Sequence, residues 1–131
     1  MLILDENIGA PERERLRAWR VHFRHVGETL ADYGTDDADL IPILHRLARP
    51  TFFTHDRDFW TPRLCHPAYC LVFLDVEDTE AADYIRRFLR HSDFDTHAKR
   101  LGKVVRAHPD GLAFYDSRHG KTKQVPWLRA V

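Results

Sequence analysis

The sequence predicts an α/β fold: a mostly parallel central sheet flanked by helices, with a β-hairpin at its C-terminal end. Three observations carry this. The short apolar runs at 2–4, 51–54 and 69–74 have the composition of strands buried on both faces. Stretches with apolar residues three and four apart alternate with them, the arrangement of βαβ units and a parallel sheet. Finally, His108-Pro109-Asp110-Gly111 separates two apolar runs in the manner of a hairpin turn.

In chain order, Leu2-Ile3-Leu4 is the first strand and ends in Asp5-Glu6-Asn7. Pro11 suits the first turn of a helix, and Glu12 to Trp19 continue it with Leu16 and Trp19 on the buried face. Val21 to Val26 reads as a second strand closed by Gly27, and residues 28–34 as a loop. Leu40, Leu44 and Leu47 share one helical face. Pro42 is tolerated only in a first turn, so this helix starts near Asp37 or Asp39, or it kinks. Thr51 to Thr54 is the third strand, residues 55–68 an irregular segment, and Tyr69 to Leu74 the fourth strand. Thr79 caps a helix whose inner face holds Ala81, Tyr84, Ile85, Phe88 and Leu89, with Arg86, Arg87 and Arg90 opposite. A short helix from Thr96 to Leu101 stops at Gly102, and a hairpin follows over Val104 to Tyr115. The tail from Ser117 to Lys123 is basic and glycine-containing, and is expected to be mobile until bound.

With 131 residues, no internal repeat and no linker, the chain reads as one domain over 1–131. Hydrophobic residues at 44% and charged residues at 31% are an ordinary globular balance. No apolar run reaches the roughly 20 residues of a bilayer span, and the start lacks the basic stretch of a secretory signal. A cytoplasmic protein without a membrane partner is expected. Cys65 and Cys70 are expected to be free thiols, since a zinc site needs more ligands than this pair offers. Charge is unevenly spread: residues 1–83 hold 16 acids and 9 bases, a net of −7, and residues 84–131 hold 4 acids and 11 bases, a net of +7. Such a chain can hold metal with its front and a polyanion with its back, or the two parts can simply attract each other.

The chemistry centres on Thr54-His55-Asp56-Arg57-Asp58-Phe59. Two carboxylates this close repel unless a cation or proton lies between them. Ligands in a parallel sheet bind beyond the carboxyl ends of its strands. Asp5 stands at such an end, and Asp56 and Asp58 just past another. If the two strands are neighbours, the carboxylates converge on one edge. A third contribution would come from Asp36, Asp37 or Asp39, although acids at a helix N-terminus also serve as caps.

In order and spacing, Leu4-Asp5-Glu6-Asn7-Ile8, Asp36-Asp37-Ala38-Asp39-Leu40-Ile41 and Thr54 to Phe59 resemble the PIN-like domains, in particular a small bacterial group with an L-D-E-N-L opening. The hairpin near 103–115 resembles that group's C-terminal end. The resemblance implies a PIN-like fold and a metal-dependent endoribonuclease cleaving single-stranded RNA, the toxin of a toxin–antitoxin pair. It implies Mg²⁺ or Mn²⁺ held by Asp5, Asp37, Asp39, Asp56 and Asp58. Of these, Asp5, Asp37, Asp56 and Asp58 would be catalytic. Glu6, Asn7 and Thr54 would support them. The chain departs from the group in carrying Asp where Glu is usual and in having Pro42, so the choice among Asp36, Asp37 and Asp39 stays open.

Hard divalent cations favour carboxylate oxygens, and a water on them becomes a nucleophile. His55, inside the motif, is either a proton shuttle or only a neighbour. RNA would be held by Arg86, Arg87, Arg90, Lys121 and Lys123, with Lys99, Arg100, Lys103 and Arg118 beside them. Trp60 or Tyr115 would stack on an unpaired base, or simply pack. The implied partners are RNA and a cognate antitoxin protein, with a homodimer left open. Two alternatives remain at this point: a non-catalytic PIN-like module binding RNA or protein, and a receiver-like phosphoryl-transfer domain using Asp5 and Asp56.

Overall fold

The computed structural model describes residues 1–27 and 37–128, with only the backbone of Asp37, Ala38 and His119. A seven-stranded mixed sheet runs through it in the order β2-β1-β3-β4-β5-β6-β7. Its strands are β1 (Leu2–Leu4), β2 (Arg24–His25), β3 (Thr51–Thr54), β4 (Cys70–Leu74), β5 (Lys103–His108), β6 (Gly111–Asp116) and β7 (His119–Val125). The first five in that order are parallel. From β5 to β7 the pairing is antiparallel. The helices are α1 (Ala10–Ala18), α2 (Asp37–His45), α3 (Ala81–Arg90) and α4 (His97–Arg100). None is long and apolar enough to cross a membrane, among the described residues.

Alternation along the strands feeds two apolar layers. Leu4, Phe53, Val72, Leu74 and Val105 cluster with Leu16 of α1 and with Ala81, Ile85 and Phe88 of α3. Ile3, Phe52, Leu71 and Val104 cluster with Leu40 and Leu44 of α2 and with Phe59. The sheet is therefore covered on both faces, which is why its central strands read as unbroken apolar runs.

Among the described residues the expected elements stand, with corrections to the second strand, the tail and the cap of α3, where Glu77 rather than Thr79 caps the turn leading into the helix; the loop expected over 28–34 lies outside the described residues. The second strand shrinks from 21–26 to Arg24–His25, because only Ile3 and Leu4 offer a register against it. α2 starts at Asp37 and runs through Pro42; proline at the sixth position removes only the bond to an early carbonyl of the helix. The tail expected to be mobile is β7, paired along β6 from Leu112↔Val125 to Asp116↔His119. At Gly102, φ is +88°, a left-handed backbone that favours glycine in this turn into β5.

Candidate metal centre

β1 and β3 are parallel neighbours, with Asp5 N–H donating to the Phe53 carbonyl at 2.9 Å. The chain leaves β1 toward β2 on one side and returns to β3 on the other. This is a topological switch point, where open α/β sheets bind ligands. Asp5 and Asp56 sit at its carboxyl edge.

One buried hydroxyl joins the site. Thr54 Oγ1 donates to Asp5 Oδ2 at 2.6 Å and accepts the Asp56 N–H at 2.9 Å. Asn7 Nδ2 reaches Asp5 Oδ2 and Thr54 Oγ1, each at 3.3 Å, while Asn7 Oδ1 accepts the His55 N–H at 3.2 Å. The Glu6 N–H donates to Asp5 Oδ1 at 2.8 Å. Asp56 Oδ1 accepts the Asp58 N–H at 2.9 Å, capping the 3-10 turn over Arg57–Phe59. Burial pushes the Asp5 carboxyl above the usual carboxylate range. The Thr54 and Glu6 hydrogen bonds hold it down in part, while the charges of Glu6 and Asp56 push it further up.

Asp58 is exposed and lines a cleft next to the edge. Asp39 is exposed on the first turn of α2. Asp37 opens that helix, its side chain outside the described residues, as is Asp36 altogether. Among the described residues, no group of three or more His, Cys, Asp and Glu is arranged to hold a metal ion. The donors present still suit Mg²⁺ or Mn²⁺: all are oxygens, and such ions need only one or two carboxylates beside waters and substrate phosphate. A cation there would offset the burial of Asp5 and the charges of Glu6 and Asp56 beside it.

The basic residues are placed less as expected. Arg86 lies over Trp19, its guanidinium 3.7 Å from a ring centroid, and Arg87 sits between Tyr84 at 4.8 Å and Trp127 at 4.5 Å. Arg90 ends α3, which starts at the carboxyl edge and runs away from it, so it lies about 13 Å along the helix from that edge. Lys121 and Lys123 are exposed on β7. Arg100, expected beside the RNA, is buried instead and donates to Thr51 Oγ1 and the Phe94 carbonyl. Lys99 pairs with Asp95 at 2.8 Å. Trp60 packs on Tyr115, ring centroids 4.6 Å apart.

Sequence reasoning missed a second cluster on the same edge. Asp75 follows β4 directly, and its Oδ2 accepts both Nε and Nη2 of Arg106, at 2.9 and 2.6 Å. Arg57 Nη2 stands 3.8 Å from it. Asp75 follows an apolar run as Asp5 does, so the rule that selected Asp5 would have selected it. His55 Nδ1 donates to the Leu74 carbonyl at 3.0 Å, which fixes its tautomer. Its buried Nε2 makes no hydrogen bond among the described residues and lies 3.7 Å from Asp78. Cys65 and Cys70 are free thiols, and burial pushes Cys70 up to about 12.

Comparison with models of protein families, with curated proteins and with solved structures gives no match for this chain.

Proposed function

We propose that the protein is a Mg²⁺- or Mn²⁺-dependent endoribonuclease of the PIN-like type, acting on single-stranded RNA and restrained by an antitoxin partner. One observation carries the reading: the Asp5–Thr54–Asp56 network stands at the switch point of the sheet, with one buried hydroxyl tying the Asp5 carboxylate to the backbone of Asp56. Asp5 and Asp56 would hold the ion, and an α2 acid (Asp37 or Asp39) or Asp58 would complete its shell. When bound, the ion supplies an activated water and charge stabilisation at the phosphate. The chain's own part is orientation. Thr54 and the Glu6 N–H fix both oxygens of Asp5, and Asn7 ties that pair to the backbone of His55. No side-chain nucleophile is required.

The test is Mn²⁺-dependent cleavage of single-stranded RNA by the wild type and by Asp5→Asn. Cleavage should fall at least about 100-fold, since even outer partners of a metal site cost up to that. Activity that persists in the variant marks a contaminant and removes the enzyme reading. A second reading, a non-catalytic module of the same fold, draws on the described residues holding no group of three or more His, Cys, Asp and Glu arranged for a metal ion. Under it, neither protein cleaves. The receiver-like alternative draws on the strand order, but β4 ends beside Asp75 and β5 at His108 rather than at a lysine.

A further inference from the structure

We infer that the cleft beside the Asp5–Asp56 edge, bordered by Arg57, Trp60 and Arg63, holds one nucleotide of the single-stranded substrate, with its base against Trp60 and its flanking phosphates on the two arginines. The inference deepens the nuclease reading and rests on it. It moves substrate binding away from α3 and the tail.

The cleft opens between Ile41 of α2 and the turns that follow Asp56. Its volume is about 560 Å³, within the roughly 300–1,000 Å³ of small-molecule sites. Phe59, Leu64 and Ile41 provide apolar wall, and Trp60 adds an aromatic surface. Tyr115 packs against that indole with ring planes tilted by 36°, which holds it in place. Arg57 and Arg63 are both exposed.

Among the described residues, Arg57 is paired with one acid, Asp75, at 3.8 Å, and Arg106 already holds that carboxylate by two shorter bonds. The Arg57 guanidinium is thus charged, positioned over the Phe73 ring at 5.6 Å, and weakly compensated. Asp58 shares the cleft; a carboxylate there accepts from the exocyclic amino group of a base. Two guanidinium groups flanking an aromatic surface match a unit with a flat face between two phosphates.

The α3 arginines compare poorly on the same criteria. Arg86 and Arg87 are stacked on indoles, and the helix carries them away from Asp5. The cleft begins one residue after Asp56. A strand seated in it therefore passes the carboxylate pair.

The experiment measures binding apart from cleavage. A fluorescein-labelled single-stranded oligoribonucleotide is titrated by anisotropy in EDTA, over a series of salt concentrations, with wild type, Arg63→Gln, Trp60→Leu and, as a comparison, Arg90→Gln. Thermal melts establish that each variant is folded. Each phosphate contact contributes about 0.7 to the slope of log K against log salt for single strands. Arg63→Gln is expected to lower that slope by about 0.7. Trp60→Leu is expected to weaken binding about 5- to 150-fold, the range of one stacked base, with the slope unchanged. Arg90→Gln should change neither.

Equal slopes for wild type and Arg63→Gln overturn the inference, as does a wild type that fails to bind RNA or prefers an acidic peptide at equal charge. Parallel cleavage assays with Mn²⁺ separate the two claims. Cleavage indifferent to Arg63 and Trp60 rejects the cleft and keeps the nuclease. Variant-sensitive binding without cleavage keeps the cleft and rejects the nuclease.

Discussion

At the scale of single residues, Thr54 matters more than its chemistry suggests. Its hydroxyl is buried and fully engaged, donating to Asp5 and accepting from Asp56 and Asn7. Thr54→Val keeps the shape and removes all three bonds. The Asp56 N–H is left a partner short, at a cost of about 1–3 kcal/mol. A pH signature accompanies this loss. Asp5 has a folded pKa raised above 3.8, so between those values the native state holds an extra proton and stability falls as pH rises. The Thr54 hydrogen bond opposes that rise. Its removal extends the window upward, and the deficit of Thr54→Val should be larger at pH 7 than at pH 4. Urea unfolding of both proteins at the two pH values, without divalent metal, measures it; an equal deficit would show that Thr54 does not act on the Asp5 charge.

At the scale of elements, α1 and α3 are joined by a cap rather than only by apolar contact. Glu12 is buried on α1, and its carboxylate accepts the Ala82 N–H in the first turn of α3 at 3.0 Å and Arg15 Nη1 at 3.3 Å. A carboxylate there satisfies a free N–H and suits the helix dipole. Glu12→Ala should cost about 1–2 kcal/mol in chemical denaturation, and Glu12→Gln clearly less, because it keeps the acceptor. The elements also show what the sequence could reveal. β1, β3 and β4 were legible because burial on both faces leaves an unbroken apolar run, and with β1 and β3 came Asp5 and Asp56 as strand-end acids. β7 was hidden: Gly120-Lys121-Thr122-Lys123-Gln124 has no apolar alternation and forms through backbone pairing with β6. The role of the α3 arginines was hidden for a similar reason. Periodicity marks an outward face, but Trp19 and Trp127 beneath it come from distant parts of the chain.

Across the whole molecule, the acidic front and basic back meet along the sheet rather than standing apart, with Asp75 and Arg106 joining one to the other. The charge left at the carboxyl edge makes metal binding a stability measurement. Mn²⁺ at about ten times its Kd should raise Tm by roughly 3–6 °C through mass action. Asp5→Asn should abolish the shift. Of Asp37→Asn and Asp39→Asn, the variant that loses it identifies the α2 ligand, and no shift in the wild type at millimolar metal would count against the site.

β7 has a consequence of another kind. It ends the sheet, so one side of its backbone has no strand partner among the described residues. An open edge of this length invites a second chain to add to it. Lys121 and Lys123 are exposed along that edge strand, and a neighbour laid alongside would bring its own lysines close to them. The same two residues that the sequence marks for a polyanion thus make that edge unfavourable for a second copy of the chain.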